Sequence, residues 1–430
     1  MIADHAHLAR RLGLGDAVFI GLGSMIGAGV FAAFGPAASA AGSGLLIGLL
    51  IAAVIAYCNA SASAQLAAVY PTSGGTYVYG RERLGEWWGF TAGWGFVVGK
   101  TASCAAMALT FASYAVPGPT WLQRLVAICG VIALTALNYR GVTKTAALTR
   151  VLVTISLAAL AVVLAGIVLG GSADFRNLGA ANPFAEGAYG ILQSAGLLFF
   201  AFAGYARIAT MGEEVRDPAR TIPRAISIAL AVAIGVYLVI GAAALVGAGP
   251  ERLAHASAPL TEAVRAAGAG YLSPVVRVGA CVASLGALLA LIAGIGRTGL
   301  AMARNRDLPR WLAAVHPRYA VPHHAEVALA AVVCVLLLFT DLRGVIGFSS
   351  FGVLVYYGIA NASAFTQPAG QRRWPRGLFL VGMIGCAVLI ATLPTVSVLS
   401  GLGMFVVGLA GRTIVLRTRE RRRGADDDGP

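Results

Sequence analysis

The sequence predicts an all-α integral membrane protein with 12 transmembrane helices, on three observations. Of its 430 residues, 58% are hydrophobic and only 12% charged, whereas soluble domains carry roughly 25% charge. The apolar residues gather into runs of about 20, the length that crosses a hydrocarbon core. Breaks interrupt the first and sixth of these runs, as a 5+5 inverted repeat followed by two additional C-terminal helices predicts.

The runs follow in order. After residues 1–14, span 15–41 begins like a signal peptide but outruns a normal h-region and lacks a clear cleavage site, so it reads as a retained helix. Spans 43–69, 87–116, 120–139 and 146–170 complete a first repeat over 15–170. Spans 188–211, 224–248, 273–303, 325–341 and 344–366 make the second repeat, 188–366, and 377–393 with 395–416 close the helical part at 377–416. The connection 248–272 reads as short external helices, and 303–324 as a basic, proline-rich loop. The tail 417–430 reads as a charged, disordered end, its basic part either held by anionic lipid headgroups or simply solvated.

A net charge of +14 first suggests a nucleic-acid partner, but its distribution excludes one. With alternating crossings, one side collects Arg10, Arg11, Arg81, Arg83, Arg140, Lys144, Arg150, Arg216, Arg220 and Arg224. The same side takes Arg304, Arg306, Arg310, Arg318, Arg372, Arg373, Arg376, Arg412, Arg417, Arg419 and Arg421 to Arg423. The other receives only Arg124, Arg176, Arg252, Arg265, Arg277 and Arg343. The positive-inside rule then places both termini in the cytoplasm, and the Ala/Gly/Arg-rich composition suggests a bacterial inner membrane. The six cysteines lie in apolar spans without a CxxC pair; they read as small core residues and call for neither disulfide nor metal.

The most informative stretch is Gly23-Ser24-Met25-Ile26-Gly27-Ala28-Gly29. Each glycine costs a helix about 1 kcal/mol relative to Ala. A break at this depth frees backbone groups that lipid cannot satisfy. Amides around Gly27, Ala28 and Gly29 then lie at a half-helix N-terminus suited to a carboxylate. Carbonyls near Ser24, Met25 and Ile26, with those of Phe202 and Ala203 before Gly204 in the sixth span, suit an ammonium. The two ends of an α-amino acid are read without a charged side chain. The alternative is a glycine-rich packing seam. Lys100 lies fourteen residues beyond Glu86, about 21 Å along a helix. A charge at that depth costs at least roughly 2.5–3.5 kcal/mol and marks a functional residue: it either repels cationic substrates or cycles a proton.

Five stretches together resemble the amino acid permeases of the amino acid–polyamine–organocation (APC) superfamily. They are the first-span run with Val30-Phe31, Pro71-Thr72-Ser73-Gly74-Gly75-Thr76-Tyr77-Val78-Tyr79, and Phe199-Phe200-Ala201-Phe202-Ala203-Gly204 with Gly212-Glu213-Glu214-Val215-Arg216-Asp217-Pro218. Met302-Ala303-Arg304-Asn305-Arg306-Asp307-Leu308-Pro309 and Tyr356-Tyr357-Gly358-Ile359-Ala360-Asn361 complete the set, in order over roughly 20–365. The resemblance implies a LeuT-type fold with its substrate site between the first and sixth helices. It also implies an aromatic gate, Phe200 or Phe202 here, with packing as the alternative, and a third-helix pocket residue near Lys100.

Three departures bear on mechanism. Where several proton-coupled relatives carry a fifth-helix lysine, this chain has Ser156. Ser156 and Ser284, with carbonyls of Gly23 and Ile26, suit a weak sodium site; alternatively Lys100 takes the proton role. Where importers of cationic amino acids often carry an acidic residue, the chain has Ala206 and then Arg207, which favours neutral or acidic substrates. No Asp or Glu sits at the centre of a span, so a carboxylate relay is unsupported. Arg207 and Glu214, seven residues apart on one helix face, are expected to pair at the gate, with substrate contact by Arg207 as the alternative and Arg297 and Arg304 as further partners of the acidic cluster. The expected partners are thus an amino acid, a proton or sodium ion and the lipid bilayer. No cofactor, metal or enzymatic motif is called for: there is no HExxH, Asp/Glu dyad or Walker-type run. A sodium-coupled symporter, an amino acid exchanger and a non-transporting sensor of the same fold are the rival readings.

Overall fold

The computed structural model describes residues 12–427 apart from 73, 141–145, 180, 181, 213 and 320. Arg10, Arg11, Ser73, Lys144 and Glu213, singled out above, lie outside the described residues. Among the described residues the chain is helical and forms no sheet, with one isolated bridge from Leu12 to Val215.

The glycine-dense first run is three helices: α1 (Leu14–Met25), α2 (Ala28–Ala32) and α3 (Phe34–Ala41). Then come α4 (Leu45–Val69), α5 (Thr76–Leu84), α6 (Glu86–Ala115), α7 (Thr120–Tyr139), α8 (Ala146–Leu169) and the short α9 (Arg176–Gly179). The sixth run is α10 (Gly187–Phe202), a 3₁₀ turn at Ala203–Tyr205, and α11 (Ala206–Ala209). α12 (Pro218–His255) bends at Gly249, and α13 (Pro259–Ala266) follows it. α14 (Ser273–Arg304), α15 (His323–Phe339), α16 (Leu342–Phe365), α17 (Arg376–Thr392) and α18 (Thr395–Asp427) complete the chain. Among the described residues ten helical runs are long and apolar enough to cross a membrane, and α15 and α17 are shorter apolar helices of 17 residues each.

Packing divides these helices into two groups. α12 packs on α1 and α4, and α4 on α10; α6 packs on α14 and α7, and α15 on α7 and α14. α8 touches α1 and α14, while α16 touches α6, α4 and α10, so both bridge the groups. α10 and α6 are mostly buried, whereas α7 and α18 are mostly exposed along their apolar lengths. A helix with an apolar surface exposed all along one side belongs against lipid.

Two expectations are corrected here. The tail does not become irregular at 417: α18 continues to Asp427, because its Arg and Glu residues are good helix formers and no Pro interrupts them. The cysteines are not all core residues: Cys58, Cys104 and Cys386 are buried, but Cys129 is exposed on α7. A thiol facing lipid meets the same apolar surroundings as one in the core.

At the arginine-rich end, Asp307 after α14 gathers three elements. It accepts from the Tyr77 hydroxyl (2.7 Å) and Arg81 (3.3 Å) of α5, and pairs with Arg412 of α18 (2.9 Å). Burial and the Asp307 carboxylate both push the Tyr77 phenol up. Arg412 also lies over the rings of Trp87 and Phe90, a cation–π seat that fastens α18 to the start of α6.

Candidate functional site

The first break is a true unwinding. Ile26 (φ −81°, ψ 70°) and Gly27 (φ −130°, ψ −133°) leave the helix. The Gly27 N–H folds back on the Met25 carbonyl at 2.9 Å, so this amide, expected to be free, is already used. α2 begins at Ala28, so the N–H groups of Ala28, Gly29 and Val30 have no acceptor within the helix.

The sixth break is milder than expected. Phe202 (φ −82°, ψ −20°), Ala203 (φ −65°, ψ 0°) and Tyr205 (φ −65°, ψ −18°) keep near-helical angles. The helix tightens into one 3₁₀ turn rather than opening, since none of these residues is forced out of the helical region. What the turn releases is the Ala203 carbonyl, which accepts from Lys100 Nζ at 3.0 Å and from the Tyr357 hydroxyl at 3.3 Å.

The two breaks cross in contact. A Cβ on Gly204 would run into the Ser24–Met25 peptide, and one on Gly29 would lie 2.7 Å from Ala201 Cα. The glycines therefore serve close helix crossing as well as unwinding. One side chain closes the crossing: the Tyr237 hydroxyl of α12 lies 2.6 Å from the Met25 carbonyl and 3.0 Å from that of Ala201. The Met25 and Ala203 carbonyls, expected to await an ammonium, thus have protein partners here. A buried carbonyl in lipid must find one.

Between the breaks lies a cavity of about 20 Å³, lined by Ser24, Lys100, Ala203, Gly204, Ala206 and Arg207, with Phe96, Thr210 and Ala290, Leu291, Gly294 and Ile295 of α14 completing it. That volume is roughly the room of one water molecule. Lys100 is buried and Arg207 partly so, and no lining residue carries a carboxylate. The walls are cationic.

Other expected residues sit elsewhere. Phe202 is fully buried against Tyr237 at 5.0 Å between ring centroids, and neither Phe200 nor Phe202 lines the cavity. The aromatic that does is Phe96, tilted against Tyr356 at 5.0 Å. Arg207 does not pair with Glu214: it donates to Thr210 Oγ1 at 3.1 Å, and Glu214 accepts from Arg297. The reason is that α11 ends at Ala209, so the two residues share no helix face.

Gly23, Ile26 and Ser156 come together around a second cavity of about 40 Å³, with Thr149, Ala283 and Ala287. The Ser156 hydroxyl donates to the Leu152 carbonyl at 2.8 Å, keeping its lone pairs for the cavity. Ser284 does not line this space; it is buried and its hydroxyl has no partner among the described residues. Sequence reasoning passed over Tyr237 and Phe96. For Tyr237 a signal existed, since a hydroxyl in the middle of an apolar span must find a partner; for Phe96 there was none.

Helices of membrane-crossing length, two crossing breaks and a cavity between them that holds Lys100 and Arg207 mark a multi-pass membrane transporter. The profile of a family described as amino acid permease matches residues 12–413, and the chain belongs to that family, within the APC superfamily. It is 59% identical to an uncharacterized transporter of Mycobacterium tuberculosis, over 97% of this chain and 94% of the relative. It is 26% identical to the branched-chain amino acid permease BcaP of Bacillus subtilis, over 94% of this chain and 92% of that one. With the chloroplastic cationic amino acid transporter 6 of Arabidopsis thaliana it shares 29% identity, over 87% of this chain and 69% of the relative.

Proposed function

We infer that the protein is a secondary active transporter that moves neutral or acidic amino acids across the cytoplasmic membrane by alternating access, coupled to protons. The observation that carries the substrate class is the cavity wall: Lys100 and Arg207 face it without a carboxylate. A cationic side chain would meet like charge there; the N–H groups at the start of α2, which lie outside the cavity lining, suit an α-carboxylate once the site opens. The relatives named for branched-chain and for cationic amino acids are separated by this reasoning, and the former is the nearer guide.

The 12-span, 5+5 repeat reading rests on the packing. α1, α4, α10 and α12 are the first two spans of each proposed repeat, and α6, α7, α14 and α15 the next two. The cavity is too small for an amino acid, so access requires the two groups to part on one side at a time. The arginine excess puts the termini in the cytoplasm.

Uptake of radiolabelled amino acids into proteoliposomes, with an imposed pH gradient and no sodium, tests this reading. Gradient-driven accumulation of a neutral or acidic amino acid is expected. Accumulation of arginine or lysine alone would overturn the substrate class. A second reading, sodium coupling, is favoured by the Gly23–Ile26–Ser156 cavity; uptake that requires sodium and ignores the pH gradient would select it. Saturable binding with neither uptake nor exchange would select a sensor.

A further inference from the structure

Glu326 is used by nothing described above. It is the second residue of the ninth predicted span and lies in the first turn of α15. It is 2% exposed, and its Oε2 has no hydrogen-bond partner among the described residues. Its side chain crosses to α14 at Gly296, where a Cβ would come within 3.1 Å of Glu326 Cγ. The residue before Gly296, Ile295, lines the central cavity, so the same stretch of α14 meets both the cavity and Glu326.

The residue after Gly296 on α14 is Arg297, and its guanidinium donates to Glu214. The elements packed on α15 are α14, α7, α6 and the 3₁₀ turn Arg310–Ala313. α14 brings Arg297, with Arg304 exposed at its end, and the turn brings the exposed Arg310. From α7 comes Tyr139, whose ring meets His316 and His323. α6 carries Lys100 and Glu86, committed to the Ala203 carbonyl and to Arg81. On α15 itself, His324 Nδ1 lies 2.9 Å from the Trp311 carbonyl. An ionised carboxylate left buried without a paired cation is neutralised instead.

We propose that Glu326 is the proton-carrying residue of the transport cycle, holding its proton while Arg297 is paired with Glu214 and releasing it when that pair parts and Arg297 turns to Glu326. This rests on the proton-coupled reading given above. The step consumes nothing else: a proton from water makes the carboxyl O–H bond, and returns to water as the guanidinium stabilises the carboxylate. The side chains of Arg297 and Glu214 are 39% and 21% exposed, which gives water a way in. Glu214 follows α11 and leads into α12, whereas Arg297 and Glu326 belong to α14 and α15. Relative movement of the two helix groups therefore breaks one pair and frees the cation for the other.

The test is Glu326→Gln in proteoliposomes, read by two assays. Counterflow exchange at equal pH is expected to stay within about threefold of the unaltered chain, while pH-driven accumulation falls by at least about tenfold. Glu326→Asp is expected to recover part of the accumulation. Accumulation by Glu326→Gln equal to that of the unaltered chain would overturn the proposal. If the unaltered chain itself ignores the pH gradient, the proton-coupled reading fails first, and the two failures are told apart. Should Glu326→Gln not fold or not exchange, the unaltered chain is treated at neutral pH with an apolar carbodiimide, which reacts with protonated carboxyls. Labelling mapped by mass to Glu326, and lost at alkaline pH, supports the proposal; no label there overturns it.

Discussion

The first and sixth helical runs meet at the same point and solve the same problem differently. In the first, Ile26 and Gly27 abandon helical angles and α2 restarts with unsatisfied N–H groups. In the sixth, three residues tighten into a 3₁₀ turn and one carbonyl is turned out. The difference follows from composition. The first run has glycine at 23, 27 and 29, whereas the sixth has Gly204 alone in Phe202-Ala203-Gly204-Tyr205. Glycine lowers the cost of leaving the helix, so the first run opens and the second is only pinched. One break offers donors and the other an acceptor that Lys100 already occupies.

The comparison breaks most severely at Gly204. Gly204→Val places a branched side chain against the Ser24–Met25 peptide. Overpacking of this kind costs about 1–3 kcal/mol or more, and the crossing has no flexible side chain to yield. Loss of uptake with a lowered melting temperature in detergent is expected; an active, equally stable variant would mean the two runs do not need their contact.

Lys100→Met sharpens the acceptor side. With Lys100 removed, the Ala203 carbonyl keeps only Tyr357 and the cavity wall loses a positive charge. Competition by lysine or arginine against labelled substrate is expected to strengthen by about tenfold, equivalent to 1.4 kcal/mol. Unchanged selectivity would remove Lys100 from the pocket argument.

Tyr237→Phe tests how the crossing is tied. It leaves the Met25 and Ala201 carbonyls without that hydroxyl, a loss of about 1–3 kcal/mol. Tyr357→Phe is expected to cost less, because the Ala203 carbonyl retains Lys100. Thermal unfolding of both variants in one detergent gives the order.

The smallest effect is expected from Ser156→Ala. If protons alone drive transport, uptake changes little, because the hydroxyl donates only to its own helix. A loss of sodium stimulation would turn the Gly23–Ile26–Ser156 cavity into the coupling site.

Much of the fold was legible. Long apolar runs and the arginine bias are properties of single segments, and so were the glycines that open the first run. The sixth break was located correctly but its depth was overstated, since Phe199 to Tyr205 say where a helix is weak and not how far neighbours let it open. The pairing of Arg207 with Glu214 failed because it assumed an unbroken helix across Thr210. Glu326 was overlooked for a similar reason: at the edge of a span it reads as a solvated end group, and only the packing of other helices, α14 among them, buries it.

Sequence alone was enough to determine a membrane-embedded, multi-helix chain, its family resemblance and the positions of its two breaks. Those follow from hydrophobicity, charge bias and glycine content, which act locally along the chain. Tertiary structure decided which donor meets which acceptor: Tyr237 to Met25, Lys100 to Ala203 and, of the cations expected near Glu214, Arg297 rather than Arg207. Backbone groups freed in lipid must be satisfied by whatever is nearest, and what is nearest depends on how distant helices cross.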